Sequence, residues 1–165
     1  MDTRAFIDTL NQTLGTPVEQ DENGAYAFIL DGVPVLLRYR AADASFLLHM
    51  ELGYPTVMGG GVCAKLLGAN FLLAETMGAA ISLDERTGMA FLEHLVPVAG
   101  LDGAGFVARV EGFVALADVW TRRVKDWNEE LEAQVDGRLD ALQRSLDGLA
   151  EEEPFPETPA AMLRV

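Results

Sequence analysis

The sequence predicts an α+β fold: a helix, a three-strand antiparallel meander, a second helix, a β-hairpin and a long C-terminal helix. Three observations carry this prediction. Between Ala25 and Gly53, apolar residues recur at every second position in three runs separated by short turns, which is the period of strands. Asp84-Glu85-Arg86-Thr87-Gly88 separates two further apolar runs, as a hairpin loop ending in glycine does. From Phe113 through Leu116, Trp120, Val124, Trp127, Leu131, Val135, Leu139, Leu142 and Leu146 to Leu149, apolar residues step by three or four, and 36 residues over ten steps is the period of a straight helix.

The elements follow in order. Phe6, Ile7, Leu10 and Leu14 lie at helical spacing, and Gly15 and Pro17 stop an amphipathic helix over Asp2–Leu14. Asp21-Glu22-Asn23-Gly24 is a polar turn. Ala25–Leu30 reads as a strand, and Asp31-Gly32 is a two-residue hairpin signal leading into a second strand over Val33–Arg40. Pro34 marks a strand end or an edge. Ala41-Ala42-Asp43 turns the chain into a third strand, Ser45–Gly53. A glycine-rich loop precedes a middle helix expected over Val62–Glu75. Ala79–Leu83 and Met89–Val96 form the hairpin, and Pro97–Gly105 links it to the last helix. That helix is long for a small domain: a span from Phe106 to Leu149 rises by about 60 Å at 1.5 Å per residue. Its second half is expected to project, to fold back at Gly137, or to pack on a second copy. The stretch Glu151-Glu152-Glu153-Pro154-Phe155-Pro156-Glu157-Thr158-Pro159 reads as an acidic, proline-rich, disordered tail.

A chain of 165 residues, half of them hydrophobic, is long enough to bury one core without disulfides or metals. Its net charge of −14 disfavours nucleic acid and anionic membranes and favours basic partner segments. The single Cys63 fits a reducing compartment, and the N-terminus lacks the basic and apolar regions of a signal peptide. A cytoplasmic protein with no membrane partner is expected. Gly59-Gly60-Gly61-Val62-Cys63-Ala64 matches G-x-G-x-x-A, but that fingerprint needs a parallel crossover, and here an antiparallel hairpin follows. It is read as a flexible connection. His49 and His94 are too few for a metal site and are expected to face solvent. Cys63 is expected to be a small buried residue without a catalytic partner. No cofactor, metal or catalytic activity is predicted.

The apolar faces are more informative. Tyr26, Phe28 and Leu30 share one side of their strand, as do Val33, Val35, Leu37 and Tyr39, and Phe46, Leu48, Met50 and Leu52. Leu36 and Leu47 add apolar area opposite, beside His49 and Glu51. Part of this surface suits another chain's segment. The middle helix is apolar around much of its circumference, with Leu66, Leu67, Asn70, Phe71 and Leu73 closely spaced, so a second subunit is a natural cover.

Leu66-Leu67-x-x-Asn70, then Ile81-x-Leu83-Asp84-Glu85-x-Thr87-Gly88, then Phe113-x-x-x-Ala117-x-x-Trp120 resemble, in order and spacing, the Tir-chaperone (CesT-like) family of type III secretion chaperones. The resemblance covers about Ala5–Arg123. It implies a small acidic homodimer without nucleotide hydrolysis, which binds the N-terminal region of a secreted effector in extended form and keeps it export-competent. It implies that Phe28, Leu36, Phe46 and Leu48 line the effector groove, and that Leu66, Asn70, Phe71 and Ile81 join the subunits. The expected organisation is a chaperone-like domain over 1–124, a helical extension over 125–149 and a tail over 150–165. The extension has no counterpart in the resemblance. Two rival readings are a same-fold regulatory or stress-related module that binds a cytosolic protein, and a small enzyme or nucleotide-binding protein using Gly59–Gly61.

Overall fold

The computed structural model describes residues 3–56 and 60–150, the last two by backbone alone. Gly59 of the glycine run, Met58 and the acidic tail from residue 151 lie outside the described residues. The chain divides into two units, Met1–Glu129 and Glu130–Val165.

Within the first unit, helix α1 (Arg4–Leu14) buries Phe6, Ile7 and Leu10. Gly15 ends it in the left-handed conformation at φ 68°, donating its N–H to the Asn11 carbonyl over 2.9 Å. Strands β1 (Ala25–Leu30), β2 (Val33–Arg40) and β3 (Ser45–Gly53) form the meander at the predicted bounds. Asp31 and Gly32 both take positive φ, 52° and 81°, the backbone a tight hairpin needs to match strand twist. Strands β4 (Ala80–Leu83) and β5 (Ala90–Pro97) complete a five-stranded antiparallel sheet in the order β1-β2-β3-β5-β4.

Helix α2 spans only Gly61–Ala69, where the sequence predicts a helix to Glu75. A turn of 3₁₀-helix, Phe71–Leu73, follows it. The cause is Asn70. Its side-chain amide donates to the Ile81 carbonyl, and its side-chain oxygen accepts from the Ile81 N–H, both over 2.8 Å. This pair of bonds ties the helix end to β4. The chain beyond then runs through left-handed backbone at Leu72, Leu73 and Met77, with φ between 51° and 56°, a region that bulky side chains rarely occupy.

Helix α3 runs unbroken over Gly103–Ala150, so Gly137 does not interrupt it. One interior glycine costs only about 1 kcal/mol against alanine. Asp102 caps the helix start by accepting the Gly105 N–H over 2.8 Å. Phe6 of α1, Phe46 of β3 and Phe106 of α3 meet with ring centroids 4.8–6.0 Å apart, so both helices cover the same face of the sheet. Trp120, fully buried, closes this core, with the Arg123 guanidinium 4.5 Å from its ring centre. Asn128 pins the loop after β3, accepting from the Thr56 N–H and donating to the Tyr54 carbonyl, each over 2.8 Å.

Candidate protein-binding surfaces

The strand register sorts every side chain of the sheet onto one of two faces. Phe28, Val35, Leu37, Phe46, Leu48, Met50 and Leu92 point under α1 and α3 and are buried. The opposite face carries three neighbouring rows across the strands. Ala27, Leu36, His49, Glu93 and Ala80 form one, Arg38, Leu47 and Leu95 the next, and Ile29, Pro34, Glu51, Phe91 and Ser82 lie on the far side of the first. Ile29 is 68% exposed, and Leu36 and Leu95 about 40%. Leu36, Arg38, Leu47, His49 and Glu93 line a depression of about 310 Å³. His49 Nδ1 lies 3.1 Å from a Glu93 carboxylate oxygen, and its ring stacks on Phe91 at 4.3 Å. A part-exposed pair of this kind contributes little to stability. Its effect is to fix polar groups among exposed leucines.

The burial pattern changes the site expected from sequence. Phe46 and Leu48 are fully enclosed and Phe28 nearly so, because α1 and α3 lie over them. They build the core and offer no groove. Of the four residues assigned to the effector, Leu36 alone stands on an accessible face. Its companions there are Leu47, Leu95 and Ile29. Alternation shows which residues share a face, but not which face the helices cover, and Leu95 and Ile29 were hidden for that reason. His94 also departs from its expected solvent-facing position. It points toward α3, stacking on Phe113 at 6.4 Å, with its Nδ1 buried and without a hydrogen-bond partner among the described residues.

A second apolar surface follows α2. Leu67 is 71% exposed, Phe71 75%, Leu72 81% and Met77 78%, with Leu83 of β4 about half exposed. Leu66 and Ile81 are buried beneath, and Asn70 is spent on the backbone of β4. Of the four residues assigned to a subunit interface, Phe71 is the accessible one. Leu67 and Leu83 share a cavity of about 120 Å³ with Cys63, Leu66, Ile81 and Ser82. Cys63 is half-buried at this cavity. Among the described residues no group of three His, Cys, Asp or Glu side chains is placed to hold a metal ion, and no helix is long and apolar enough to cross a membrane.

An antiparallel sheet with helices on one face, an open apolar face on the other and a second exposed apolar segment defines a scaffold for binding other polypeptides. The model of the Tir chaperone protein (CesT) family matches residues 5–121, and the chain belongs to that family. Solved structures share the fold. One is the ExsC–ExsE complex, at 24% identity and a TM-score of 0.61, covering 71% of this chain and 89% of that one. A second is the HopA1–SchA chaperone–effector complex, at 22% identity and a TM-score of 0.55, covering 77% and 92%. A third is the Yersinia pestis type III secretion chaperone SycH with a stable fragment of YscM2, at 16% identity and a TM-score of 0.56, covering 72% and 99%. No curated protein matches the chain by sequence.

Proposed function

We propose that this protein is a homodimeric type III secretion chaperone, which holds the N-terminal region of a secreted effector in extended form and keeps it competent for export. The observation that carries this is the open sheet face around Leu36, Leu47 and Leu95 on a chain of the CesT family. Structures with the same fold include a chaperone–effector complex and a type III secretion chaperone, which supports the same role here. The binding is physical and involves no bond chemistry. Extended segments bury alternate side chains against apolar surface and leave the others in water. The net charge of −14 favours a basic effector segment. The edge strand β1 offers backbone groups for pairing beyond Tyr26, whereas on β4 Asn70 occupies the Ile81 N–H and carbonyl.

The exposed residues after α2, Phe71 and Leu72 foremost, join two subunits in this reading. A standard interface buries roughly 1,600 Å² in total, and apolar side chains as exposed as these belong at its centre. The chaperone works in the cytoplasm, where Cys63 stays reduced. Residues 1–124 act as the chaperone domain and 125–149 as a helical addition to it. The test is affinity capture of the full-length protein from its native host while the injection system is expressed. A secreted protein that co-purifies, loses export in a strain lacking the chaperone and dissociates from the Leu36→Asp/Leu47→Asp variant is the expected result. Recovery of no secreted protein contradicts the proposal.

A further inference from the structure

The second unit carries an apolar stripe for which the chaperone role has no use. Leu139, Leu142 and Leu146 stand at i, i+3 and i+7 on one face of α3. They are between 58% and 61% exposed. Three exposed leucines in line on one helix face are more than the scattered apolar residues a solvated surface carries. At 100° per residue, Glu132, Asp136 and Asp147 run along one flank of the stripe. Residues 130–165 hold nine acidic and three basic residues, so 36 of the 165 positions carry −6 of the net −14. The occupant of this stripe therefore needs apolar contacts with cations beside them.

The chain itself presents that chemistry on the open sheet face. Leu36, Leu47 and Leu95 lie on the successive strands β2, β3 and β5, with Arg38 and Arg40 projecting from β2 on the same face. The dimensions agree. Leu139 to Leu146 rises by about 10 Å along a helix, and β2 to β5 spans two strand spacings, also about 10 Å. Arg40 pairs with Asp43 over 3.0 Å, a part-exposed contact of little worth that an acidic partner can replace.

We infer that the leucine stripe of one copy docks on the open sheet face of a second copy, with its acidic flank along Arg38 and Arg40. The stripe thereby covers the client face while no client is bound. An arriving effector segment displaces it, so client-free protein self-associates through this contact and client-bound protein does not. The displacement step rests on the chaperone reading; the contact between copies does not.

The test uses full-length chains carrying Cys63→Ser. A copy with Leu142→Cys is mixed with a mass-tagged copy with Leu36→Cys and mildly oxidised. A disulfide between the two copies forming at least tenfold faster than with Asp8→Cys, an exposed control on α1, is expected. Leu139→Asp/Leu146→Asp on the helix copy abolishes that advantage, and both leucines are exposed, so the fold is left intact. Arg38→Glu/Arg40→Glu on the sheet copy slows the cross-link several-fold, and Asp136→Arg/Asp147→Arg on the helix copy restores it. Three results overturn the inference: Leu142→Cys linked only to Leu142→Cys, a rate equal to the control, or a chain bearing both cysteines that closes on itself at a rate independent of dilution. Because no client is present, any of these sinks the docking contact and leaves effector capture from the host as a separate question.

Discussion

On one face of the sheet, Phe46, Leu48, Met50 and Leu92 are sealed beneath α1 and α3; on the other, Leu36 and Leu95 stand exposed and Leu47 half-buried between them, with Arg38, His49 and Glu93 beside them. Both faces come from the same strands, residue by residue in alternation. What separates them is where the two flanking helices lie. The covered face sets the stability of the subunit, because each large side chain there is withdrawn from water and packed on all sides. The open face contributes little to stability, and its leucines are available to another chain. A surface that stays apolar without serving the fold is one that binds.

The largest expected effect is on the covered face. Phe46→Ala removes a ring that packs against both Phe6 and Phe106 and should cost about 3–5 kcal/mol in denaturant unfolding. Leu47→Ala, one residue along and on the other face, should cost less than about 1 kcal/mol while weakening client binding. Equal losses from the two substitutions would break the distinction between the faces. Next comes the seam between the helices of the covered face. A Cβ on Gly103 runs into the Thr9 side chain of α1, so Gly103→Ala should destabilise by about 1–3 kcal/mol and Gly103→Ala/Thr9→Ala by less. On the second exposed surface, Leu72→Asp/Phe71→Asp, made in a chain that also carries Leu139→Asp/Leu146→Asp so that the stripe contact is removed, should convert a particle of twice 17.9 kDa into one of 17.9 kDa by light scattering, with the far-ultraviolet dichroism unchanged. An unaltered mass would move the subunit contact elsewhere.

The smallest effect lies on neither face. The Arg86 N–H and the Thr87 hydroxyl donate to the Asp84 carboxylate, holding its pKa below the usual carboxylate range. A depressed folded-state pKa contributes stability that is complete above the unfolded value near 3.8 and is lost as pH falls through the lower folded value. Asp84→Asn should therefore cut stability slightly at neutral pH and flatten its decline below about pH 4. A steeper acid decline in the variant would reverse that sign.

Much of the fold is legible in the chain because its signals are local. Alternation with the tight turns at Asp31-Gly32 and Asp84–Gly88 places all five strands to within one residue, and the 3.6-residue period carries α3 to its end. The early end of α2 is not local. Asn70 leaves the helix to bond Ile81, eleven positions on, and no helical period reports such a tie. The candidate site is less legible than the fold for the same reason. Phe28, Phe46 and Leu48 have the character of a groove, and only the position of α1 and α3 above them makes them core. The exposure of Phe71 is legible in the sequence because three consecutive apolar residues, Phe71-Leu72-Leu73, exceed what one helix face can bury.

Amide hydrogen exchange, compared between the full-length chain alone and the same chain co-purified with a captured secreted protein, addresses the open sheet face directly. Slowed exchange confined to the edge strand β1 and the loops beside Leu36 and Leu47, with α1 and the start of α3 unchanged, is expected when a client lies there. Slowed exchange only in α1 and α3, or none at all, would mean that the client does not use this face.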